Sequence, residues 1–242
     1  MNSILEQHTF YFKQFQIRQD RCPMKIGTDG VLLGAWSDIS QASKILDIGT
    51  GTGVIAAMMA QRAPSATIHA VEIDEEAYGQ AKENLEQTPW ANRLSVFHQA
   101  VQEFAKEAIN QYDLLVSNPP FFTGGTFSHH AHRNQVRHTV KLPHGDLLSS
   151  VRRMMHPGGK FCVILPFIEG LRFQELAQSY HLYASRITQV RPKATKPVER
   201  LLMQLECHPT PTLRDQLIIQ HDGPNEWTEE YVQLTRDFYL NM

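Results

Sequence analysis

The sequence predicts an α/β fold with a seven-stranded, mostly parallel sheet, one antiparallel strand and helices on both faces. Strand-like and helix-like segments alternate from Lys44 onward, which is typical of β-α-β units. The composition, 42% hydrophobic and 20% charged over 242 residues, is that of a globular chain. The longest apolar run, Phe161–Ile168, has eight residues, whereas a membrane-spanning helix needs about 20. We therefore expect a soluble protein.

The first half of the alternation starts with a short apolar strand, Lys44–Ile48, which ends at a glycine. The next segment, Val54–Arg62, is rich in Ala and Met and predicts a helix. Thr67–Ile73 is β-branched and predicts a strand, and Glu75–Leu85 contains strong helix formers. The remaining elements of this half are predicted as the strand Leu94–Gln99, the helix Val101–Ala108 and the buried strand Tyr112–Ser117.

The second half contains two helices, a central strand and two alternating strands. They are predicted, in order, as helix Gly145–Met155, a turn at Pro157-Gly158-Gly159, strand Lys160–Leu165, helix Glu169–Gln178 and strands Leu182–Val190 and Leu201–Cys207. The segment between the last two strands, Arg191–Arg200, is rich in Pro and Lys and leaves no room for a helix. These two strands should therefore pair antiparallel, because parallel neighbours need a longer crossover.

The segments outside this alternation are expected to decorate one domain that spans residues 1–242. Residues 1–43 form an N-terminal extension, in which Phe10–Gln19 predicts a strand and Asp29–Trp36 a short helix. Residues 44–208 form the core. In the C-terminal part, residues 209–242, Leu213–Gln220 predicts a strand and Thr228–Leu240 a helix that pack on the end of the sheet.

Charge and cysteine content are those of an ordinary cytoplasmic protein. The 23 basic and 25 acidic residues give a net charge of −2, so only local clusters of charge can indicate a nucleic-acid partner. Cys22, Cys162 and Cys207 form no C-x-x-C pair and are expected to be free thiols in a reducing compartment. The first residues lack a basic stretch followed by an apolar core, so we expect no secretory signal.

A glycine-rich loop follows the first core strand, at Asp47-Ile48-Gly49-Thr50-Gly51-Thr52-Gly53. Three alternate glycines exceed what a strand-to-helix turn needs, and they let a ligand approach the backbone closely. A dinucleotide would place its pyrophosphate at the start of the following helix. Asp47, however, would repel a phosphate and attract a cation. The loop therefore favours S-adenosylmethionine, which carries a sulfonium and an ammonium group, over NAD.

An acidic residue ends the next strand. Glu72 lies 19 residues after Gly53, at the position from which a carboxylate can accept hydrogen bonds from both ribose hydroxyls of a nucleoside. The alternative is that Glu72 is an exposed carboxylate at a strand end and binds no ligand. Asp74, two residues further on, is the fallback for the same role.

The fourth core strand runs into Asn118-Pro119-Pro120-Phe121. Ligands of doubly wound sheets bind beyond the carboxyl ends of the strands, near the switch in strand order, which strands one and four should flank. The two prolines remove N–H donors and leave a rigid wall of acceptors. The Asn118 side-chain oxygen and a main-chain oxygen of Ser117 or Pro119 suit a planar –NH₂ group. Phe121 offers a face on which a base can stack.

Together these motifs resemble the class I S-adenosylmethionine-dependent methyltransferases that modify exocyclic amino groups, which implies a Rossmann-like core. The N-terminal stretch Phe15-Gln16-Ile17 and the run from Cys22 to Trp36 are similar, more narrowly, to the bacterial tRNA1(Val) adenine N6-methyltransferases, and this resemblance covers nearly the whole chain. It implies methylation of adenine 37, next to the anticodon, with tRNA as partner. It further implies that Thr28 and Asp29 help to bind the cofactor.

One position departs from the pattern of these relatives. Many carry an Asp after the third core strand that binds the amino group of the cofactor's adenine. Here the strand ends at His98-Gln99-Ala100. The amide oxygen of Gln99 can accept the same bond, so the resemblance implies that Gln99 binds the cofactor in place of this Asp.

Two basic segments are candidate contacts for phosphates. Residues 122–141 contain four histidines and the cations Arg133, Arg137 and Lys141, without an acidic residue. Zinc is disfavoured, because all ligands would lie on one loop without Cys or carboxylate, so we expect no metal. The second segment contributes Arg191, Lys193, Lys196 and Arg200. Either segment could instead be a solvated face, and the first could cover the target base.

The predicted function is methyl transfer from S-adenosylmethionine to the N6 amino group of a tRNA adenine by a monomeric enzyme. Similar chemistry acts on guanine N2 of ribosomal RNA and on glutamine amides of release factors. The glutamine enzymes usually have Tyr at the place of Phe121 and a separate helical N-terminal domain. A non-catalytic nucleotide-binding protein, such as an NAD-binding regulator, is the alternative from another class. Asp47 and the Asn-Pro-Pro-Phe turn disfavour it.

Overall fold

The computed structural model describes residues 8–109, 111–120 and 142–242. Its strands are β1 (Thr9–Tyr11), β2 (Gln16–Arg18), β3 (Lys44–Ile48), β4 (Thr67–Glu72), β5 (Leu94–His98), β6 (Tyr112–Ser117), β7 (Met155–Pro166), β8 (Tyr183–Lys193), β9 (Arg200–Glu206) and β10 (Leu213–Gln220). Its helices are α1 (Thr28–Trp36), α2 (Val54–Arg62), α3 (Glu75–Glu86), α4 (Val101–Glu107), α5 (His144–Met154), α6 (Phe167–Gln178) and α7 (Glu229–Thr235), with one 3₁₀ turn at Ala91–Arg93.

The central sheet has the strand order β10-β8-β9-β7-β6-β3-β4-β5. All neighbouring pairs are parallel except those of β9, which runs antiparallel to both β7 and β8. The mostly parallel sheet with one antiparallel strand is therefore confirmed, and β10 adds an eighth strand at its edge. The strand order reverses between β3 and β6, so the loops that follow these two strands lie side by side.

Helices cover both faces of the sheet, as predicted. One core contains the apolar sides of α1, α2 and α7 together with Phe12, Phe15 and Ile17 of the N-terminal extension. The other core contains the apolar sides of α4, α5 and α6. Strands buried on both faces explain why their sequences are continuously apolar rather than alternating.

Three predictions of local structure were wrong. The strand expected over Phe10–Gln19 is a hairpin of two short antiparallel strands, β1 and β2. The expected turn at Pro157-Gly158-Gly159 lies inside β7, where the pairing with β6 shifts register. A Cβ atom at Gly159 would lie 2.8 Å from the Tyr112 carbonyl oxygen, so a close approach of two strands requires this glycine. The C-terminal helix spans only Glu229–Thr235 of the predicted Thr228–Leu240.

The N-terminal hairpin contacts residues near the far end of the chain. Phe12 forms an isolated antiparallel bridge with Tyr239, and the amide of Lys13 donates a hydrogen bond of 2.8 Å to the Phe238 carbonyl. The rings of Phe12 and Phe15 stack with centroids 4.5 Å apart. The hairpin thus packs against the segment after α7, and the chain leads from it to α1.

Candidate active site at the carboxyl ends of the strands

The glycine-rich loop connects β3 to α2 with three glycines in the left-handed region. The φ angles of Gly49, Gly51 and Gly53 are 69°, 56° and 84°, which other residues rarely adopt. A Cβ atom at Gly49 or Gly51 would meet no other described atom within 4 Å, whereas at Gly53 it would lie 3.1 Å from the Leu85 side chain. The first two glycines therefore border open space, and the third allows the loop to pack on α3.

Asp47 holds this loop from inside the protein. Its side chain is fully buried, and its Oδ2 accepts hydrogen bonds from the Thr50 hydroxyl (2.6 Å) and the Ala56 amide (3.1 Å). Its Oδ1 is buried and has no partner among the described residues. Burial raises the pKa of the Asp47 carboxyl from 3.8 to about 7, although the two hydrogen bonds act in the opposite direction. The predicted attraction of Asp47 for a cation stays a prediction.

Glu72 ends β4, as predicted, and its carboxylate binds three backbone amides. Its Oε2 accepts from Gly51 (2.9 Å), and its Oε1 accepts from Ile73 (2.8 Å) and Asp74 (3.0 Å). Asp74, the fallback, caps α3 by accepting from the Ala77 amide at 2.9 Å. The structure thus places Glu72 on the glycine loop and gives Asp74 a local role.

Gln99 follows β5 beside Glu72. Its amide donates a hydrogen bond of 2.9 Å to the Glu72 carbonyl, and the preceding residue, His98, pairs with Glu72 in the sheet. Glu72 and Gln99 therefore lie next to each other at the carboxyl ends of neighbouring strands, and Glu72 contacts the glycine loop directly.

Asn118 follows β6 at the switch in strand order. The preceding residue, Ser117, pairs with Ile48 of β3, and its hydroxyl donates to the Ile48 carbonyl at 2.9 Å. The Asn118 Oδ1 atom is buried without a hydrogen-bond partner among the described residues. Such an acceptor is costly unless a ligand or water satisfies it. Pro119 is buried and Pro120 exposed, and Phe121 lies outside the described residues.

The N-terminus of α1 lies against Asn118. A Cβ atom at Gly30 would be 4.0 Å from the Asn118 Nδ2 atom. Thr28, Asp29 and Asn118 line a cleft of about 450 Å³. The other residues that line it are Met24, Lys25, Gly27, Leu32, Val190, Pro192, Glu199, Arg200 and Ile219. The structure therefore brings Thr28 and Asp29 to Asn118.

Arg200 lies in this cleft and pairs with Asp29. Its Nε atom donates to the Asp29 Oδ2 atom at 2.8 Å, and its Nη1 atom donates to the Glu199 carbonyl at 3.1 Å. The sequence analysis assigned Arg200 to the RNA and Asp29 to the cofactor. They are 171 positions apart in the chain, and no local pattern indicates the contact.

Two of the other candidate RNA contacts, Arg191 and Lys193, lie on β8 next to residues that line the cleft. Arg191 donates to the Lys196 carbonyl at 3.2 Å, and Lys193 donates to the Asp222 carbonyl at 2.9 Å. Since Val190 and Pro192 line the cleft, the alternation of a strand directs Arg191 and Lys193 away from it. The remaining candidates, Arg133, Arg137 and Lys141, lie outside the described residues with the four histidines.

Two buried polar side chains of α3, Gln80 and Asn84, escaped the sequence analysis. Gln80 is 0% exposed and Asn84 is 2% exposed, and both bind the backbone of the N-terminal extension. Their spacing of four residues puts them on one face of the helix. Amides at that spacing beside the apolar Ala81 and Leu85 are the signal that could have indicated them.

The described residues contain no group of three or more His, Cys, Asp or Glu side chains that could hold a metal ion. No helix within them combines the length and apolarity needed to cross a membrane. All three cysteines are buried and free, as predicted.

Comparisons with known proteins give one consistent result. Residues 26–164 match the family described as Methyltransferase small domain. The chain is 42% identical over 237 residues to the tRNA1(Val) (adenine(37)-N6)-methyltransferase of Histophilus somni strain 2336, covering 98% of this chain and 99% of that protein. It is 44% identical over 233 residues to the protein of the same name from Trichodesmium erythraeum strain IMS101, covering 96% and 97%.

Solved structures share the fold at lower identity. The crystal structure of a predicted O-methyltransferase, protein Atu636 from Agrobacterium tumefaciens, superimposes with a TM-score of 0.69 and 18% identity. The match covers 87% of this chain and 96% of that one. At this identity the similarity shows a shared fold and gives no information about the substrate.

Proposed function

The chain belongs to the family of the tRNA1(Val) (adenine(37)-N6)-methyltransferases, and from this premise we propose that it transfers a methyl group from S-adenosylmethionine to the N6 atom of adenine 37 in tRNA1(Val). The observation that supports the proposal most directly is the Asn118 Oδ1 atom beside the switch in strand order, which is buried and has no partner among the described residues. An oxygen acceptor at that place suits the exocyclic amino group of a base.

The residues present fit S-adenosylmethionine. Gly49 and Gly51 border open space in a conformation that only glycine adopts easily, so a ligand can approach the loop. In the proposed site Glu72 binds the ribose hydroxyls and Gln99 the adenine amino group. Thr28 and Asp29 would contact the cofactor from α1, and the glycine loop, which Asp47 holds, would contact its charged end. When bound, S-adenosylmethionine supplies an electrophilic methyl group.

Asn118 would orient the target amino group. Its Oδ1 atom accepts one proton of the –NH₂ group, and the main-chain oxygen of Ser117 or Pro119 accepts the other. Holding both protons draws the nitrogen lone pair out of conjugation with the ring and directs it at the methyl carbon. Phe121 would supply a face for the base.

This mechanism relies on positioning rather than on a general base. An adenine amino group is neutral before the transfer, and the product can release its extra proton to water. The target adenine has to leave its stack to enter the site, which costs less in an anticodon loop than in a duplex. The protein therefore has to hold the base, orient its amino group and keep the two reactants in line.

The test of the proposal uses labelled S-adenosylmethionine and fractionated cellular RNA, followed by nucleoside analysis. We expect label in N6-methyladenosine from tRNA1(Val), and none in a tRNA1(Val) transcript whose adenine 37 is replaced by guanine. Label in N2-methylguanosine of ribosomal RNA, or in protein glutamine, would contradict it. Calorimetry with S-adenosylhomocysteine and with NAD separates the enzyme from a nucleotide-binding regulator.

The strip Arg191, Lys193 and Lys196 offers a prediction about the RNA. Replacing all three by Gln should flatten the slope of log affinity for tRNA against log salt by up to about 2–3 units, because each phosphate contact contributes about 0.9 or less. A filter-binding titration at several salt concentrations measures this slope. We expect the affinity for S-adenosylhomocysteine to be unchanged, since none of the proposed cofactor contacts involves these side chains.

A matched control removes three cations from another part of the surface. Lys106, Arg152 and Arg153 lie in the last turns of α4 and α5, at the amino-terminal edge of the parallel strands. Replacing them by Gln changes the net charge equally but should leave the slope unaltered. Equal slopes for the parent and the first triple variant would make the strip a solvated face and move the RNA contacts to residues 122–141 and the N-terminal segment.

The raised pKa of Asp47 predicts a pH dependence of stability. The folded state binds the Asp47 proton more tightly than the unfolded chain, whose carboxyl titrates near 3.8. This tighter proton binding contributes fully to the free energy of unfolding below about pH 4, and the contribution is lost as the pH rises to about 7. The variant Asp47→Asn lacks this titration, so its stability relative to the parent should increase over that range by about 1–3 kcal/mol. Urea unfolding at several pH values measures the difference, and a constant difference would contradict the assignment.

A further inference from the structure

Two buried amides of α3 hold the segment that runs from the last residue of β2 towards α1, here called the N-terminal strap (Arg18–Cys22). The Asn84 Oδ1 atom accepts from the Arg18 amide at 2.9 Å, and its Nδ2 atom donates to the Arg18 carbonyl at 2.8 Å. One turn earlier, the Gln80 Oε1 atom accepts from the amides of Arg21 (2.8 Å) and Cys22 (3.2 Å). The strap is thus bound to α3 through its backbone, and the Arg21 side chain also pairs with Glu83 of the same helix.

Asn84 makes one more contact, which Gln80 lacks. Its Nδ2 atom also donates to the carbonyl of Thr52, in the glycine-rich loop, at 2.9 Å. The loop is packed tightly at this place, because a Cβ atom at Gly53 would lie 3.1 Å from the Leu85 side chain. Gln80 instead directs its Nε2 atom to the Asp20 Oδ1 atom, at 2.8 Å. Asn84 therefore joins the strap to the loop, whereas Gln80 binds the strap alone.

The glycine-rich loop is held from three sides. Asp47 binds Thr50, Glu72 binds Gly51, and Asn84 binds Thr52. Glu72 has a second task under the proposed function, since its oxygens also have to accept bonds from the ribose. Asp47 is an ionisable group whose pKa lies close to neutrality. Asn84 is the one of these three side chains that neither titrates nor meets the ligand.

We propose that Asn84 is a positioning residue for the cofactor, which fixes the glycine-rich loop in its binding conformation and sets it relative to the strap that leads to Thr28 and Asp29. This inference rests on the proposed function in that it takes the loop to bind S-adenosylmethionine. Asn84 itself is only 2% exposed, and both its donors and its oxygen bind other parts of the protein, so it is not placed to contact a ligand. Its effect on the cofactor must therefore act through the loop.

The test compares Asn84→Ala with Gln80→Ala. Both remove a buried amide that binds the strap, so both should lower the urea midpoint of unfolding. Only Asn84→Ala should raise the Kd for S-adenosylhomocysteine and the KM for S-adenosylmethionine, by about 10-fold, the effect of one hydrogen bond. The kcat at saturating cofactor and the KM for tRNA should stay within about twofold of the parent values, since no contact with the RNA is proposed there.

Gln80→Ala should leave the Kd for S-adenosylhomocysteine within about twofold of the parent value, because Asn84 still binds both the strap and the glycine-rich loop. Asn84→Ser serves if the alanine variant does not fold. It keeps a small polar side chain but cannot donate to both the Arg18 and the Thr52 carbonyls, so it should also weaken cofactor binding by about 10-fold.

The outcomes separate this inference from the proposed function. Suppose that the parent binds S-adenosylhomocysteine, and that the two alanine substitutions lower this affinity equally or not at all. Asn84 is then only a structural residue of the strap, and the inference is overturned. If the parent does not bind S-adenosylhomocysteine at all, the proposed function fails and the inference fails with it.

Discussion

Replacing Asn118 by alanine should lower the rate of methylation at saturating substrates by about 10²–10³. The Oδ1 atom that the substitution removes is buried and has no partner among the described residues, so its proposed partner is the amino group that reacts. Without it one proton of the amino group is unbound, and the lone pair stays conjugated with the ring. Single-turnover assays with tRNA1(Val) measure the chemical step directly.

Two controls separate this loss from a loss of folding or of binding. The urea midpoint of Asn118→Ala should equal or exceed that of the parent, because the substitution removes an unsatisfied buried acceptor rather than an intramolecular hydrogen bond. The affinity for tRNA should change little, since one uncharged contact is removed from an interface dominated by charge. A fully active Asn118→Ala protein would exclude the amino-group mechanism.

Replacing Glu72 by alanine should weaken S-adenosylmethionine binding by about 2–4 kcal/mol, or about 30-fold to 1000-fold, if two charge-assisted bonds to the ribose are lost. The geometry adds a second cause, because the Glu72 carboxylate also holds the Gly51 amide of the loop. Glu72 lies at a strand end, so the fold should survive. Calorimetry with S-adenosylhomocysteine and urea unfolding measure the two effects on the same samples.

Asp74 provides the matched control, since it lies two residues away and its carboxylate also binds backbone. Asp74→Ala removes the cap of α3 and should cost about 0.5–2 kcal/mol of stability, with little change in cofactor affinity. The reverse result, with affinity lost in Asp74→Ala and kept in Glu72→Ala, would mean that the ribose carboxylate is Asp74. Glu72→Gln keeps one acceptor oxygen and replaces the other by an –NH₂ donor, so its affinity should lie between those of the parent and Glu72→Ala.

The sequence predicted those parts of the fold and site that depend on local pattern. Alternating helix and strand periodicity identified the parallel sheet, because each β-α-β unit contains its own signal within about 30 residues. The glycine loop and the acidic strand end were visible for the same reason. The strand order that brings Ser117 beside Ile48 followed from the general rule for doubly wound sheets, and the structure confirmed it.

Long-range contacts could not be predicted in this way. The pairing of Arg200 with Asp29, and of Asn84 with both Arg18 and Thr52, joins segments that no periodicity relates. The glycine at position 159 looked like part of a turn because its need for close approach arises from another strand. Tertiary packing decides such cases, whereas local propensity only limits the choices.

The bridge between Phe12 and Tyr239 has a consequence for the order of events during synthesis. At about 5–20 residues per second, the partner of Phe12 leaves the ribosome's catalytic centre roughly ten to forty-five seconds after Phe12 itself. Until then the hairpin has no complete surface on which to dock. The strap that follows it has to wait, attached only to α3, while the glycine loop and its sheet can already have formed. The hairpin that was translated first can thus dock fully only after the last helix, α7, has been made.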